Sequence, residues 1–121
     1  MDCYIWDLNF IKIKFKFDIA KDHTLLTILN DHQIVVQSNK MCILDYINGQ
    51  RTTLRISKIG CITQLPDERL IYGIKEGYVK IYNLETNQIS NFDRIFNIID
   101  YILVLKDKRI VISTHKKLYV Y

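Results

Sequence analysis

Apolar and polar residues alternate along most of this chain in short runs separated by small polar clusters. The clearest run is Ile11-Lys12-Ile13-Lys14-Phe15-Lys16-Phe17, where Ile11, Ile13, Phe15 and Phe17 share one face of a strand and the lysines take the other. Other runs, such as Ile34-Val35-Val36, Leu70-Ile71-Tyr72 and Ile110-Val111-Ile112, are rich in the β-branched and aromatic residues that suit a pleated, half-buried surface. The clusters between them carry turn chemistry. Asp31, Asp67 and Asp107 each stand where a short side-chain carboxylate can accept backbone N–H bonds and hold a reversal. Asn48-Gly49, Thr86-Asn87 and Glu76-Gly77 supply residues that tolerate positive φ. No stretch shows helical periodicity. Short strands punctuated every roughly 8–12 residues by turn signals predict an all-β protein.

The pattern also repeats. Ile5-Trp6-Asp7, Ile43-Leu44-Asp45, Ile81-Tyr82-Asn83 and Val120-Tyr121 follow one another at intervals of 38, 38 and 39 residues, counted at the middle position. The blocks around them align as well: Leu29 to Gln50, Leu65 to Gln88 with two extra residues in its central turn, and Leu105 to Tyr121. Each unit reads as a strand, an Asp-bearing turn, an apolar strand, a polar turn and an alternating strand. A turn then leads to a fourth strand. Self-similarity at roughly 40 residues marks a repeat architecture.

These residues resemble the WD40 repeat family. The likeness rests on the Trp6-Asp7 dipeptide, on the four-strand unit, and on Gly77-Tyr78-Val79-Lys80-Ile81-Tyr82-Asn83, which looks like the family's Gly-x-hydrophobic-x-hydrophobic-aromatic-Asp ending. The match is degenerate. Asp22-His23 stands where the family has Gly-His, and Asn39-Lys40, Lys75-Glu76 and His115-Lys116 occupy the turn that normally carries a buried Asp. The family's Asp–His–Ser/Thr–Trp hydrogen-bond network is therefore expected to be missing, leaving stability to apolar packing. The Ile- and Lys-rich style resembles the WD-repeat regions of large DNA viruses. The resemblance implies about three four-stranded antiparallel propeller-type blades. The boundaries are a partial blade over 1–20, blades over 21–58 and 59–94, and an incomplete blade over 95–121. Rings of this kind usually need about four to eight blades. A partial propeller completed by self-association, as a homo-oligomer with a dimer favoured, is the expectation; a fragment of a longer propeller is the alternative.

Composition narrows the function classes. About half of the 121 residues (49%) are hydrophobic, enough for a real core, and one Pro with four Gly argues against disorder. A formal charge of +4 is too mild to imply nucleic acid, whose binders concentrate charge on one face. Lys12, Lys14 and Lys16 raise that hypothesis again, but lysine on an outer strand is a standard guard against edge-to-edge pairing. Cys3, Cys42 and Cys61 show no metal-ligand spacing, so reduced thiols are expected. There is no secretory leader pattern, no membrane-length apolar run and no Asn-X-Ser/Thr sequon. A cytoplasmic setting fits.

No catalytic set emerges. His23, His32 and His115 are far apart and fall at turns, with no paired-carboxylate spacing, Gly-rich phosphate loop or nucleophile elbow elsewhere. The expectation is a non-enzymatic protein-interaction scaffold without metal or cofactor. Trp6, Tyr82, Tyr119 and Tyr121 are expected to pack between blades. By analogy with propellers, the partner-binding residues fall in loops at one end of the blades: Lys21, Asp22, His23 and Lys58 entering first strands, and Asn39, Lys40, Lys75, Glu76, His115, Lys116 and Lys117 between second and third strands. Their cationic bias suggests an acidic protein partner. A self-assembling, virion-type structural component is the second reading.

Overall fold

The computed structural model describes residues 2–7, 12–18, 24–30, 32–37, 40–56 and 59–121, with side chains described from residue 27 onward within those ranges. Among the described residues every regular element is a strand, and there are thirteen. They are β1 (Asp2–Asp7), β2 (Lys12–Asp18), β3 (Thr24–Ile28), β4 (Gln33–Gln37), β5 (Met41–Asp45), β6 (Arg51–Leu54), β7 (Ile59–Gln64), β8 (Leu70–Ile74), β9 (Tyr78–Asn83), β10 (Gln88–Arg94), β11 (Ile99–Val104), β12 (Ile110–Thr114) and β13 (Leu118–Val120). Each pairs antiparallel with its sequence neighbour, giving four meander sheets: β1-β2, β3-β4-β5-β6, β7-β8-β9-β10 and β11-β12-β13. The chain divides into two compact units, Met1–Leu54 and Arg55–Tyr121.

In the first unit, β1 and β2 pair with Trp6 opposite Ile13 across a bulge. The side chains of Trp6, Lys12, Lys14 and Lys16 lie outside the described residues. In the β3–β6 sheet, Ile34 faces Leu44 and Val36 faces Cys42 across β4 and β5. These four share one face of the sheet and form a buried apolar cluster, with Tyr46 packed at its margin.

The second unit is two sheets packed face to face through β11, which runs along β7 and β8. One face of the β7–β10 sheet carries Ile71, Val79 and Ile81, and one face of the β11–β13 sheet carries Ile99, Ile102 and Ile112. All six are buried in a single core, with Cys61 and Tyr119 packed against it. Register explains the choice: Ile102, Ile112 and Tyr119 are directly opposed across three strands, so they point the same way. Gly73 sits mid-strand because Ile99 needs its space. A Cβ there would stand 3.1 Å from both the Ile99 Cγ2 and the Cys61 Sγ. Burying any one of these isoleucines is worth about 1.5–3 kcal/mol.

The turns follow the repeat atom by atom. Asp67 and Asp107 each accept the amide of an arginine two residues on, both at 3.2 Å. The Arg69 and Arg109 Nε atoms return to the same carboxylates at 2.8 and 2.6 Å. Glu68 and Lys108, inside those turns, take positive φ of 74° and 70°. At the next turn of each unit, Asp45 Oδ1 accepts the amides of Ile47 and Asn48. Asn83 Oδ1 does the same for Glu85 and Thr86. Gly49 and Asn87 close these turns in the left-handed region, with φ of 76° and 57°. Asp45 and Asn83, at the ends of β5 and β9, are thus turn-closing side chains. Asp31, expected to act like Asp67, lies outside the described residues.

Candidate partner-binding surface

The expected contact residues that the structure describes divide between the units. Lys40 is exposed in the first. Lys75, Glu76, His115, Lys116 and Lys117 are exposed in the second. Lys21, Asp22, His23, Asn39 and Lys58 lie outside the described residues.

Within the second unit, three segments meet at one end. Lys75 and Glu76 lie in the β8–β9 turn, and they line a shallow cleft with Arg94 at the end of β10 and with Phe96, Asn97 and Ile98 of the β10–β11 connection. A second cleft joins the same connection to Lys116, Lys117 and Tyr119 at the β12–β13 turn. Arg94, Phe96 and Asn97 belong to both, so the two clefts form one continuous surface.

Backbone chemistry fixes each part of it. Gly77 turns the chain with φ of +92°, and its amide closes the reversal onto the Ile74 carbonyl at 2.8 Å. Its carbonyl then accepts the Ile95 amide at 2.7 Å, which docks the β10–β11 connection on the β8–β9 turn. Ile95 is buried at 3% exposure, so Phe96 beside it stands outward at 85%. On the other side, Thr114 Oγ1 is buried and accepts the Lys116 and Lys117 amides at 3.2 and 3.0 Å, which sets the lysine turn.

The electrostatics are mixed but cationic. Lys75, Arg94, Lys116 and Lys117 surround the clefts, with Glu76 and Asp93 among them. The Arg94 guanidinium lies 4.0 Å from the centre of the Tyr78 ring and 4.8 Å from that of Phe96. It also donates to the Tyr78 hydroxyl. Asp93 accepts from the Tyr121 hydroxyl. That bond and the burial of the ring push the Tyr121 phenol up to about 12, with burial the larger cause.

Sequence reasoning reached the two lysine-bearing turns but missed the connection between them. The available signal was Phe96, a large apolar residue with the buried Ile95 before it and the strand start Ile99 after it.

Three aromatic expectations meet different ends. Tyr82 is fully buried, with its hydroxyl on Asn87 Oδ1 at 2.6 Å. Tyr119 is half-buried against the core between the sheets. Tyr121 is 42% exposed and meets Phe92 edge-on at 5.0 Å, so it bridges to the neighbouring sheet from the rim.

The His32 Nδ1 lies 3.1 Å from Asp45 Oδ2, across the sheet. The contact ties the β3–β4 turn to the β5–β6 turn, as does the Tyr46 amide on the His32 carbonyl at 3.1 Å. Desolvation pushes the Asp45 carboxyl upward, but hydrogen bonds from Asn48, Ile47 and His32 outweigh it and hold the group below the usual carboxylate range. Among the described residues no group of three or more His, Cys, Asp or Glu is placed to hold a metal.

No protein-family model matches the chain, and no curated protein matches it in sequence. Solved structures do match. The chain superposes on the β-propeller domain of Cps50 (Swd1) from Myceliophteria thermophila with a TM-score of 0.76 at 14% identity, over 98% of this chain and 44% of that one. Its fold is that of WD40-type propeller blades. The WD40 β-propeller domain of Doa1 gives a TM-score of 0.68 at 17% identity, over 90% of this chain and 40% of that domain's chain. The computationally designed Ika4 protein gives 0.66 at 16% identity, over 98% of this chain and 77% of its own. The chain thus spans less than half the length of the two natural propellers. At these identities the likeness carries the fold, and the WD40 resemblance read from the repeat agrees with it.

Proposed function

We propose that this chain is a non-catalytic protein-interaction scaffold whose contact surface is the blade end carrying the β8–β9 turn, the β10–β11 connection and the β12–β13 turn. One observation carries the reading. Lys75, Arg94, Lys116 and Lys117 come from three segments far apart in sequence, yet they edge one continuous surface held by backbone hydrogen bonds. A rigid, cationic end of this kind suits an acidic protein partner. The test is affinity capture followed by mass spectrometry with Lys75→Glu, Lys116→Glu and Lys117→Glu combined. Loss of the captured partner is expected; capture equal to that of the unaltered chain removes the assignment. Lys21, Asp22, His23, Asn39, Lys40, Lys58 and His115 remain part of the proposal, each open to the same substitution test.

The reading includes self-association. Tyr101, Leu103, Leu118 and Val120 share the outward face of the β11–β13 sheet and are 56–70% exposed. The counterparts of Leu118 and Val120 in the β7–β10 sheet, Val79 and Ile81, are buried under the neighbouring sheet. A matching blade face is what such a surface suits, and a second copy, as a dimer, is the occupant proposed here. The same feature favours the second reading, a self-assembling structural component. Light scattering coupled to size exclusion decides: a concentration-dependent dimer mass is expected, and a clean monomer at micromolar concentration overturns self-association. The free thiols of Cys42 and Cys61 support a reducing setting such as the cytoplasm.

A further inference from the structure

Arg69 and Arg109 are each committed to a carboxylate two residues earlier. Arg94 is not: among the described residues it forms no ion pair with a carboxylate. Its guanidinium is clasped instead by the Tyr78 and Phe96 rings. One N–H goes to the Tyr78 hydroxyl. The two rings flank the group while Arg94 stays exposed to solvent, and a guanidinium held in this way suits bidentate capture of a planar oxyanion. Beside it Phe96 stands 85% exposed and Ile98 56% exposed, on a connection pinned at Ile95. A large aromatic held outward on a fixed backbone keeps its apolar surface in water at a cost, unless something covers it.

We propose that Arg94 and Phe96 form a reading site for a short acidic peptide segment. This rests on the scaffold reading above and names the partner's chemistry. A side-chain carboxylate of the segment lies bidentate on Arg94, and an apolar or aromatic side chain next to it packs on Phe96 and Ile98. Further acidic residues then fall toward Lys116 and Lys117 on one side or Lys75 on the other. The carboxylates of Glu76 and Asp93 stand inside the same surface. They disfavour a continuous phosphate backbone, such as single-stranded nucleic acid, and favour a peptide whose charges are spaced and can avoid them.

The probe is a fluorescein-labelled peptide of alternating Glu and Phe, titrated by anisotropy against the full chain. Controls replace every Glu by Gln, or every Phe by Ala, and a labelled oligothymidine is run in parallel. Saturable binding of the Glu/Phe peptide is expected, weakened about tenfold or more by Arg94→Lys and by Phe96→Ala, because an ammonium cannot present the flat fork. Both residues are exposed, and circular dichroism of each variant checks that the fold is kept. Absence of binding, equal binding of the Gln peptide, insensitivity to Arg94→Lys, or preference for oligothymidine each overturns the site. Capture of a cellular partner separates this inference from the scaffold reading. Loss with the three lysine reversals but not with Arg94→Lys and Phe96→Ala sinks the reading site alone, whereas capture unchanged in all variants sinks both.

Discussion

The Ile95 amide donates to the Gly77 carbonyl at 2.7 Å, and this bond joins the inter-sheet connection to a hairpin turn of the preceding sheet. The approach is so close that a side chain at Gly77 would overlap the Ile95 carbonyl oxygen and press the Asn97 carbonyl as well. Gly77→Ala therefore carries two penalties, a positive φ of 92° and a backbone collision. Gly49 serves as the control, since it has a positive φ of 76° but nothing within 4 Å of a Cβ. The expected losses are about 3 kcal/mol or more for Gly77→Ala and about 1 kcal/mol for Gly49→Ala, measured by urea unfolding. Equal losses at the two sites would mean the collision relaxes at no cost.

The side-chain hydrogen bond from Arg69 holds the Asp67 carboxyl below its ordinary range, with the Arg69 amide and charge adding to it and desolvation opposing. A depressed carboxylate stabilises the fold above its unfolded pKa, and that contribution fades as pH falls through the lower folded value. Asp67→Asn is expected to lower the unfolding midpoint at neutral pH and to make no difference well below about pH 4. The side chains are 54% and 42% exposed, so screening limits the loss to about 0.5 kcal/mol. A difference that persists undiminished into acid would point to the turn backbone instead of the ion pair.

Burial pushes the Cys61 thiol up to about 11, with the Asp100 charge adding to it and a backbone hydrogen bond at Gly73 opposing. The thiolate is the nucleophile, so its fraction at neutral pH is small. Cys61 is expected to react with iodoacetamide far more slowly than a free peptide cysteine at pH 7.5 and to gain full reactivity in urea. Peptide mapping by mass spectrometry resolves it from the other two cysteines. Rapid labelling in the folded chain would show that β7 separates readily from β11.

At the alkaline end the sign reverses. The raised Tyr121 phenol favours the folded state while it stays protonated, so its contribution is complete below about pH 10 and is lost toward about 12. Tyr121→Phe is expected to narrow the gap in stability between pH 9 and pH 11, read from denaturant midpoints. An identical gap in both proteins would remove the Asp93 contact from the account.

The repeat made the strands, the turn positions and the four-strand grouping legible, because alternation and turn chemistry are local. Asp67, Gly77 and Asn87 could be placed from neighbours alone. What escaped was whatever depends on sheets meeting one another. Arg94 and Phe96 carry no repeat signature, and only the docking of Ile95 on Gly77 turns them into a surface. The His32–Asp45 contact escaped for the same reason: it spans a strand pair, while the sequence offered only the adjacent Asp31. Tyr121 read like Tyr82 by position, yet it stands just past β13 with far less around it.

The paired Asp67–Arg69 and Asp107–Arg109 turns bear on how the chain finds its fold. Each is closed within five residues, and each strand of the sheets pairs with its sequence neighbour. Such hairpins form on the order of microseconds. The β7–β8 and β11–β12 hairpins should therefore exist before β11 lies down on β7, each as an independent nucleus carrying the same five-residue latch. The slow event is then the stacking of finished sheets, so substitutions in Ile71 or Ile112 should be felt mainly in that late step and substitutions in the latches in the early one.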